Sequence, residues 1–589
     1  MVSATDGRSW QLVGTDGVAT QSIEFQNIAA VTSAGVGDIL LTTAAGSSVV
    51  LNSGADRATA NGIGFSGVES YFGGGGADTF RSENGAAISG AISGEGGADV
   101  FNLTGGISVA SGIDGGAGDD RFVVAASVSG GVTGGADNDS FEVAQLGDSS
   151  SLDGGAGTAD QLIFTGDTSN WSFPLGAGPA LNGISLVGME SYVDGATVAT
   201  NVITNGTASF NAVRQLALAG SVLSYNAVSN LNVSAANIVV NQIDHLGAVD
   251  LLSSAGVSGG GDINTASINI VGDAMTLGDI DAVSTGLSAS GPVTIGRVSG
   301  ATFNVVNSSS VQVGSLSVAD STIATSGVLS IGAAKGSSLV VGRSGGVQLG
   351  VTDWASVDIE TSGSVSQVGA DALLTAGTLA IAASGDVNLA TQVSEVSSIR
   401  STGGDITLNE RDSITLGVVE ASGVGAAISI EAVKDITFDT ITTGSASNGS
   451  VSLASSQGDL LVSRVDLTSA TLAPNVIANS MDLTALLGVV GKNQAQFITL
   501  SATRAPVVSS LLGSSIRTTS TTPEANVVSG ANLGNAFDAV SSSGVASAVQ
   551  TALDGIESVD PAVFTALTPY SFDANAVAMP EDQKDDYEE

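Results

Sequence analysis

Apolar and polar positions alternate with period two along most of this chain, in short runs rich in Val, Ile and Thr and punctuated by Gly, Ser, Asn and Asp. Alternation sends successive side chains to opposite faces of a strand, and the punctuating residues are those that turns require. The pattern therefore predicts short strands and turns rather than helix. The runs also recur. MTLG begins at Met275, VTIG at Val293, VQVG at Val311, LSIG at Leu329 and VQLG at Val347, a constant step of 18 in the numbering. The frame then loosens, with related units at Val387, Ile406, Ile414, Ile428, Ile436 and Val451.

A second repeat, richer in glycine, precedes this one. GGGGADTF (Gly73 to Phe80), GEGGADVF (Gly94 to Phe101), GGAGDDRF (Gly115 to Phe122), GGADNDSF (Gly134 to Phe141) and GGAGTADQL (Gly154 to Leu162) each carry glycines, then an aspartate, then an apolar residue two places on. Asp78, Asp99, Asp120, Asp139 and Asp160 follow one another in steps of 21, 21, 19 and 21. Both repeats have nearly the same period. A coil of that length has a contour of roughly 60 Å at about 3.3 Å per residue, which suits one turn of a small parallel β-helix whose coils stack about 4.8 Å apart. The expected fold is all-β, an elongated right-handed parallel β-helix (solenoid), its hand taken from the crossover rule for parallel strands.

Five segments are expected along the chain: N-terminal coils over 1–60, Gly/Asp-rich coils over 61–165, a β-helix of 18–22-residue repeats over 166–470, a closing region over 471–578, and an acidic disordered tail over 579–589. Apolar spacing from Asn535 to Ile556 predicts a short helix within the closing region. A larger duplication is visible too, because NGIGFSGVESY at Asn61 to Tyr71 returns as NGISLVGMESY at Asn182 to Tyr192. Trp10 and Trp171 sit in a similarly related pair of segments and are expected to be core or edge packing residues. The chain opens directly in repeat material without a signal-like segment, so it is expected to be a piece of a longer polypeptide.

Charge narrows the partners. Sixteen Lys and Arg against 57 Asp and Glu give a formal net charge of −41, the wrong sign for nucleic acid or for an anionic membrane surface. No run of about 18 apolar residues is present, so membrane insertion is not expected. With no cysteine and one histidine, thiol chemistry, Cys-ligated zinc and histidine-paired metal sites are absent, and hard oxygen ligands remain. His245 reads as an exposed turn residue or a satisfied edge histidine, and the cluster Glu410, Arg411 and Asp412 as solvated turn residues; no catalytic residue is assigned.

Stacked coils would place the five aspartates in a column. Calcium takes six to eight oxygen ligands, so a cation between two turns could be held by backbone carbonyls and two carboxylates, relieving the repulsion within the column. The candidate ligands are Asp78, Asp99, Asp119, Asp120, Asp137, Asp139 and Asp160. The motif G-G-x-G-x-D-x-apolar is similar to the calcium-binding repeats of RTX proteins, and that resemblance covers residues 73–162. It departs from the RTX pattern in spacing, since RTX motifs recur about every nine residues, and Glu95 and Asp137 stand where glycines are expected.

Farther on, SGDVNLA, TGGDITLNERDSITLG and NGSVSLASSQGDL resemble the repeats of filamentous haemagglutinin-type bacterial exoproteins over roughly residues 200–470. That resemblance implies two-partner secretion and a rigid, non-enzymatic adhesin or stalk at a bacterial cell surface or outside the cell, binding host or bacterial glycans or proteins. The alternatives are a self-associating extracellular filament or matrix protein and, ranked lower, a β-helical polysaccharide-degrading enzyme.

Overall fold

The computed structural model describes residues 2–529 apart from 5–7, 14–16, 21–22, 147–150, 175–177, 205, 213–214, 219–220, 227, 445–447, 464–472, 493–495 and 520. The fold is all-β, a parallel β-solenoid of about 21 turns, and no helix occurs among the described residues. The segment expected to form a short helix and the acidic tail lie outside them. The chain forms two compact units, one of residues 1–408 and 417–423, the other of residues 409–416 and 424–589.

In the first unit the strict 18-residue repeat is a strict 18-residue register. Val293 pairs with Val311, Val311 with Leu329 and Leu329 with Val347, always in parallel. Each coil turns three faces inward. In the coil beginning at Val293 these carry Val293 and Ile295, then Val298, then Phe303 and Val305, all at most 2% exposed. Stacking such coils pairs the backbone groups between neighbours and buries one continuous apolar column. The final glycine of the repeat marks a corner where coils nearly touch: a Cβ on Gly332 would collide with the carbonyl oxygen of Gly314, and one on Gly350 with that of Gly332. The frame loosens because residues are inserted at a turn. Val347 still pairs with Val365 at the regular step, whereas Thr352 pairs with Leu374, four positions beyond where that step would reach.

Before residue 230 the parallel stack carries antiparallel excursions. Arg57–Ala60 and Ile63–Ser66 form a hairpin through Asn61 and Gly62, with φ angles of 48° and 85°, and Ala180–Leu181 and Ile184–Val187 form another through Asn182 and Gly183, at 50° and 85°. Two consecutive left-handed residues are what a tight hairpin needs to match strand twist, and Asn-Gly supplies them. The duplicated sequence is thus a duplicated structure. Each copy ends in a strand that buries its tyrosine, Tyr71 or Tyr192. Trp10 and Trp171 are core residues, and the indole Nε1 of Trp10 donates to Ser33 Oγ at 3.2 Å.

The second unit follows the same plan. Ala427–Ala432 pairs in parallel with Ser450–Ser455, which pairs with Ser480–Ala485, then Val507–Ser510 and Asn526–Ser529. Ile428, Val451 and Leu483 lie along its buried side.

Candidate functional site

The glycine–aspartate motifs occupy one strand start in successive coils. Thr79–Ser82, Val100–Leu103, Arg121–Val128, Ser140–Leu146 and Gln161–Phe164 stack in parallel, and the residue before each strand is Asp78, Asp99, Asp120, Asp139 or Asp160. Two places after each aspartate is a core residue. Phe80, Phe101, Phe122 and Phe141 stack face to face, with centroids 5.1, 4.7 and 4.6 Å apart and planes within 6°. Residues two apart on a strand share a face, so the parity that buries the phenylalanines also turns the aspartates inward. All five are at most 2% exposed.

Their carboxylates engage the backbone. The amide of Asp78 donates to Asp99 Oδ1 at 2.5 Å, that of Asp99 to Asp120 Oδ1 at 2.6 Å, that of Asp120 to Asp139 Oδ1 at 2.8 Å, and that of Asp139 to Asp160 Oδ1 at 2.7 Å. Glutamate continues the ladder, Glu190 Oε2 accepting from the amide of Asp160 at 2.8 Å. A shorter ladder elsewhere repeats the arrangement: Asp38 Oδ1 accepts from the amide of Arg8, and Glu69 Oε2 from that of Asp38, both at 2.7 Å. Asp38, Glu69 and Glu190 are not singled out by the glycine motif. Their signal is the shorter pattern acid-x-apolar, in DIL at Asp38 and ESY at Glu69 and Glu190, which the aspartates share.

The second carboxylate oxygen is what makes this column unusual. Oδ2 of Asp78 accepts from the amide of Gly74 at 3.0 Å, but Oδ2 of Asp99, Asp120, Asp139 and Asp160 is buried without a hydrogen-bond partner. Each lies against the first glycine of its motif. A Cβ on Gly94, Gly115 or Gly134 would collide with Oδ2 of Asp99, Asp120 or Asp139 and with the carbonyl oxygen of the corresponding glycine one coil on. Burial pushes the carboxyls of Asp99, Asp120 and Asp139 up to about 7, against the lowering effect of the amides they accept from, and neighbouring carboxylates add to the rise.

Asp119 and Asp137 are elsewhere, exposed on the turn outside the column. Asp119 Oδ1 accepts from the amide of Asn138 at 2.9 Å. Glu95 and Asp137 adopt the left-handed backbone of the glycines they replace, at φ 69° and 75°.

As a calcium site the column does not fit. Calcium needs six to eight oxygens converging at about 2.3–2.6 Å. The coils of Asp99, Asp120, Asp139 and Asp160 each offer one carboxylate oxygen without a partner, and it lies against the first glycine of its motif in a buried interior. Among the described residues no group of three or more His, Asp or Glu side chains is arranged to hold a metal ion.

Aspartates that precede an apolar residue in GDV, GDI, KDI and GDL form related ladders of opposite sense. Asp386 Oδ1 accepts from the amide of Asp405 at 2.9 Å in the first unit; in the second, Asp435 Oδ1 accepts from Asp459 at 2.8 Å and Asp459 Oδ1 from Val489 at 2.9 Å. His245 is buried rather than exposed, with Nε2 2.5 Å from the Ser229 carbonyl oxygen, and burial holds its imidazole below the usual range. Glu410 is buried, and Asp412 pairs with Lys434 at 2.7 Å on the surface.

An outward ladder runs along another face of the first unit. Asn170, Asn201 and Asn232 stand on successive rungs and are linked through their amides, Asn201 Nδ2 donating to Asn170 Oδ1 at 3.0 Å and Asn232 Nδ2 to Asn201 Oδ1 at 2.7 Å. The same register continues through Asp250, Asn269, Gly286, Asn304 and Thr322. On the adjoining row Thr302 Oγ1 donates to Ser284 Oγ at 3.0 Å. The spacing of these residues varies from 17 to 31 in sequence, which hides the row from a search for fixed periods. No family model matches the chain, and no curated protein or solved structure is significantly similar to it.

Proposed function

We propose that this protein is a non-enzymatic adhesive stalk, displayed on a bacterial surface or released from it, that binds glycans along the outward amide ladder. The observation that carries this reading is the in-register row from Asn170 to Thr322 on a parallel sheet, in which Asn170, Asn201, Asn232, Asn269 and Asn304 set five amides in line, with the carboxylate of Asp250 and the bare backbone of Gly286 between them and the hydroxyl of Thr322 at the end. Amides present both a donor and an acceptor, and repetition at about 4.8 Å offers them to a ligand that itself repeats hydroxyl groups, as a neutral polysaccharide does. The net charge of −41 disfavours anionic polymers. Filamentous haemagglutinin-like repeats in the sequence support the same reading.

The test is binding of the full chain to immobilised neutral polysaccharides, with Asn201→Ala and Asn232→Ala as variants. Retention of the chain, weakened about fivefold by each variant as expected for one lost hydrogen bond, and no release of reducing ends would support it. Absence of binding across the panel, equal binding by the variants, or release of sugar would overturn it.

A further inference from the structure

We infer that the glycine–aspartate repeats of this chain are a metal-independent carboxyl–amide ladder, in which aspartate ties each coil to the one before it and the first glycine exists to admit the carboxyl group. The inference goes beyond adhesion and does not depend on it. Three features meet on each rung. Oδ1 accepts from the amide of the equivalent aspartate one coil earlier, at 2.5 to 2.8 Å over four consecutive rungs. Oδ2, without a partner on Asp99, Asp120, Asp139 and Asp160, packs where a side chain on the motif glycine would otherwise be. The ladder then accepts glutamate at Glu190, whose longer side chain still reaches the same amide.

A calcium site and a capping ladder make different demands on the side chain. Calcium needs the negative charge, and an aspartate-to-asparagine change removes it. The cap needs only an acceptor oxygen in the right place, which asparagine supplies with nearly the same shape. The glycine requirement is likewise explained without a metal, since it follows from the position of Oδ2.

The experiment uses the full chain and its Asp120→Asn/Asp139→Asn and Asp120→Ala/Asp139→Ala variants. Melting temperature is measured in calcium chloride and in EDTA, together with calorimetric titration of calcium chloride. We expect the parent to melt alike in both solutions, the asparagine variant to melt at or above the parent at pH 8, and the alanine variant to melt at least about 2–4 °C lower. Calcium heat that is absent, or is equal in parent and asparagine variant, also supports the ladder, the second being adsorption to an acidic surface. Saturable calcium binding with a raised melting temperature, both lost in the asparagine variant, would overturn it. So would an asparagine variant as unstable as the alanine one.

Discussion

The backbone amide of Asp99 donates to the side chain of Asp120, one coil away, at 2.6 Å. The bond spans the junction between neighbouring coils at a point where the chain has left its turn and not yet entered the sheet ladder. An amide there would otherwise be buried without an acceptor, which costs about 1–3 kcal/mol. The side chain that satisfies it is itself held by the next coil, because the Asp120 amide donates to Asp139.

The glycine facing the carboxyl group should be intolerant of any side chain. Gly115→Ala places a methyl group against Asp120 Oδ2 and the Gly134 carbonyl oxygen, and overpacking of this kind costs about 1–3 kcal/mol. Gly75 lies in the same motif with nothing within 4 Å of its Cβ position, so Gly75→Ala should change stability by less than about 0.5 kcal/mol. Urea denaturation of the two variants checks the contrast.

Stability should fall as pH rises toward neutrality. Asp99, Asp120 and Asp139 are raised from 3.8 to about 7, so between these values the folded chain holds protons that the unfolded chain has released. Deprotonation then favours unfolding throughout that window and has no further effect above about 7. Melting temperature measured from pH 4 to 8 should show this descent, and Asp120→Asn should make it shallower. A melting temperature that rises over the same range would contradict the assignment.

Phe122 stands in the middle of the aromatic stack, so Phe122→Ala should destabilise by about 3–5 kcal/mol. Phe122→Leu should cost markedly less, because Leu162 occupies the same register position beside Phe141. Denaturant midpoints of the pair provide the measurement, and equal losses would mean that the stacking geometry rather than the volume matters.

At the two hairpins the backbone alone is at stake. Gly62 and Gly183 have φ 85° and nothing within 4 Å of a Cβ, so Gly62→Ala and Gly183→Ala should each cost about 1–2 kcal/mol through the left-handed conformation. Similar losses in thermal melts of the two variants would confirm that the hairpins are equivalent.

Much of this architecture is legible in the sequence. The constant 18-residue step from Met275 to Val347 predicts stacked coils because only a repeated register buries the same positions every turn, and the structure pairs those residues in that register. The Gly/Asp block predicts a column of acids, and the column is there. Its direction is harder to read. The glycine turn suggests carboxylates aimed at a shared cation, whereas Asp120, immediately before the strand and two places from Phe122, shares the parity that faces the interior. Asp38, Glu69 and Glu190 escape a search for the motif because they lack the glycines, although ESY and DIL carry the same acid-x-apolar parity. The asparagine row cannot be found by period, since insertions between coils change the sequence spacing while leaving the rungs aligned.

Each rung of the buried ladder depends only on its immediate neighbours: one amide below, one carboxyl group above, one ring on either side. A whole coil could therefore enter or leave the stack, and the remaining rungs close over the change with the same bonds, provided the newcomer brings its own acid and an apolar residue two places on. Within the Gly/Asp block, the height of the stack is a copy number. Duplication or deletion of a single stretch of DNA within the block would add or remove one coil of this stack at a time without redesigning a core.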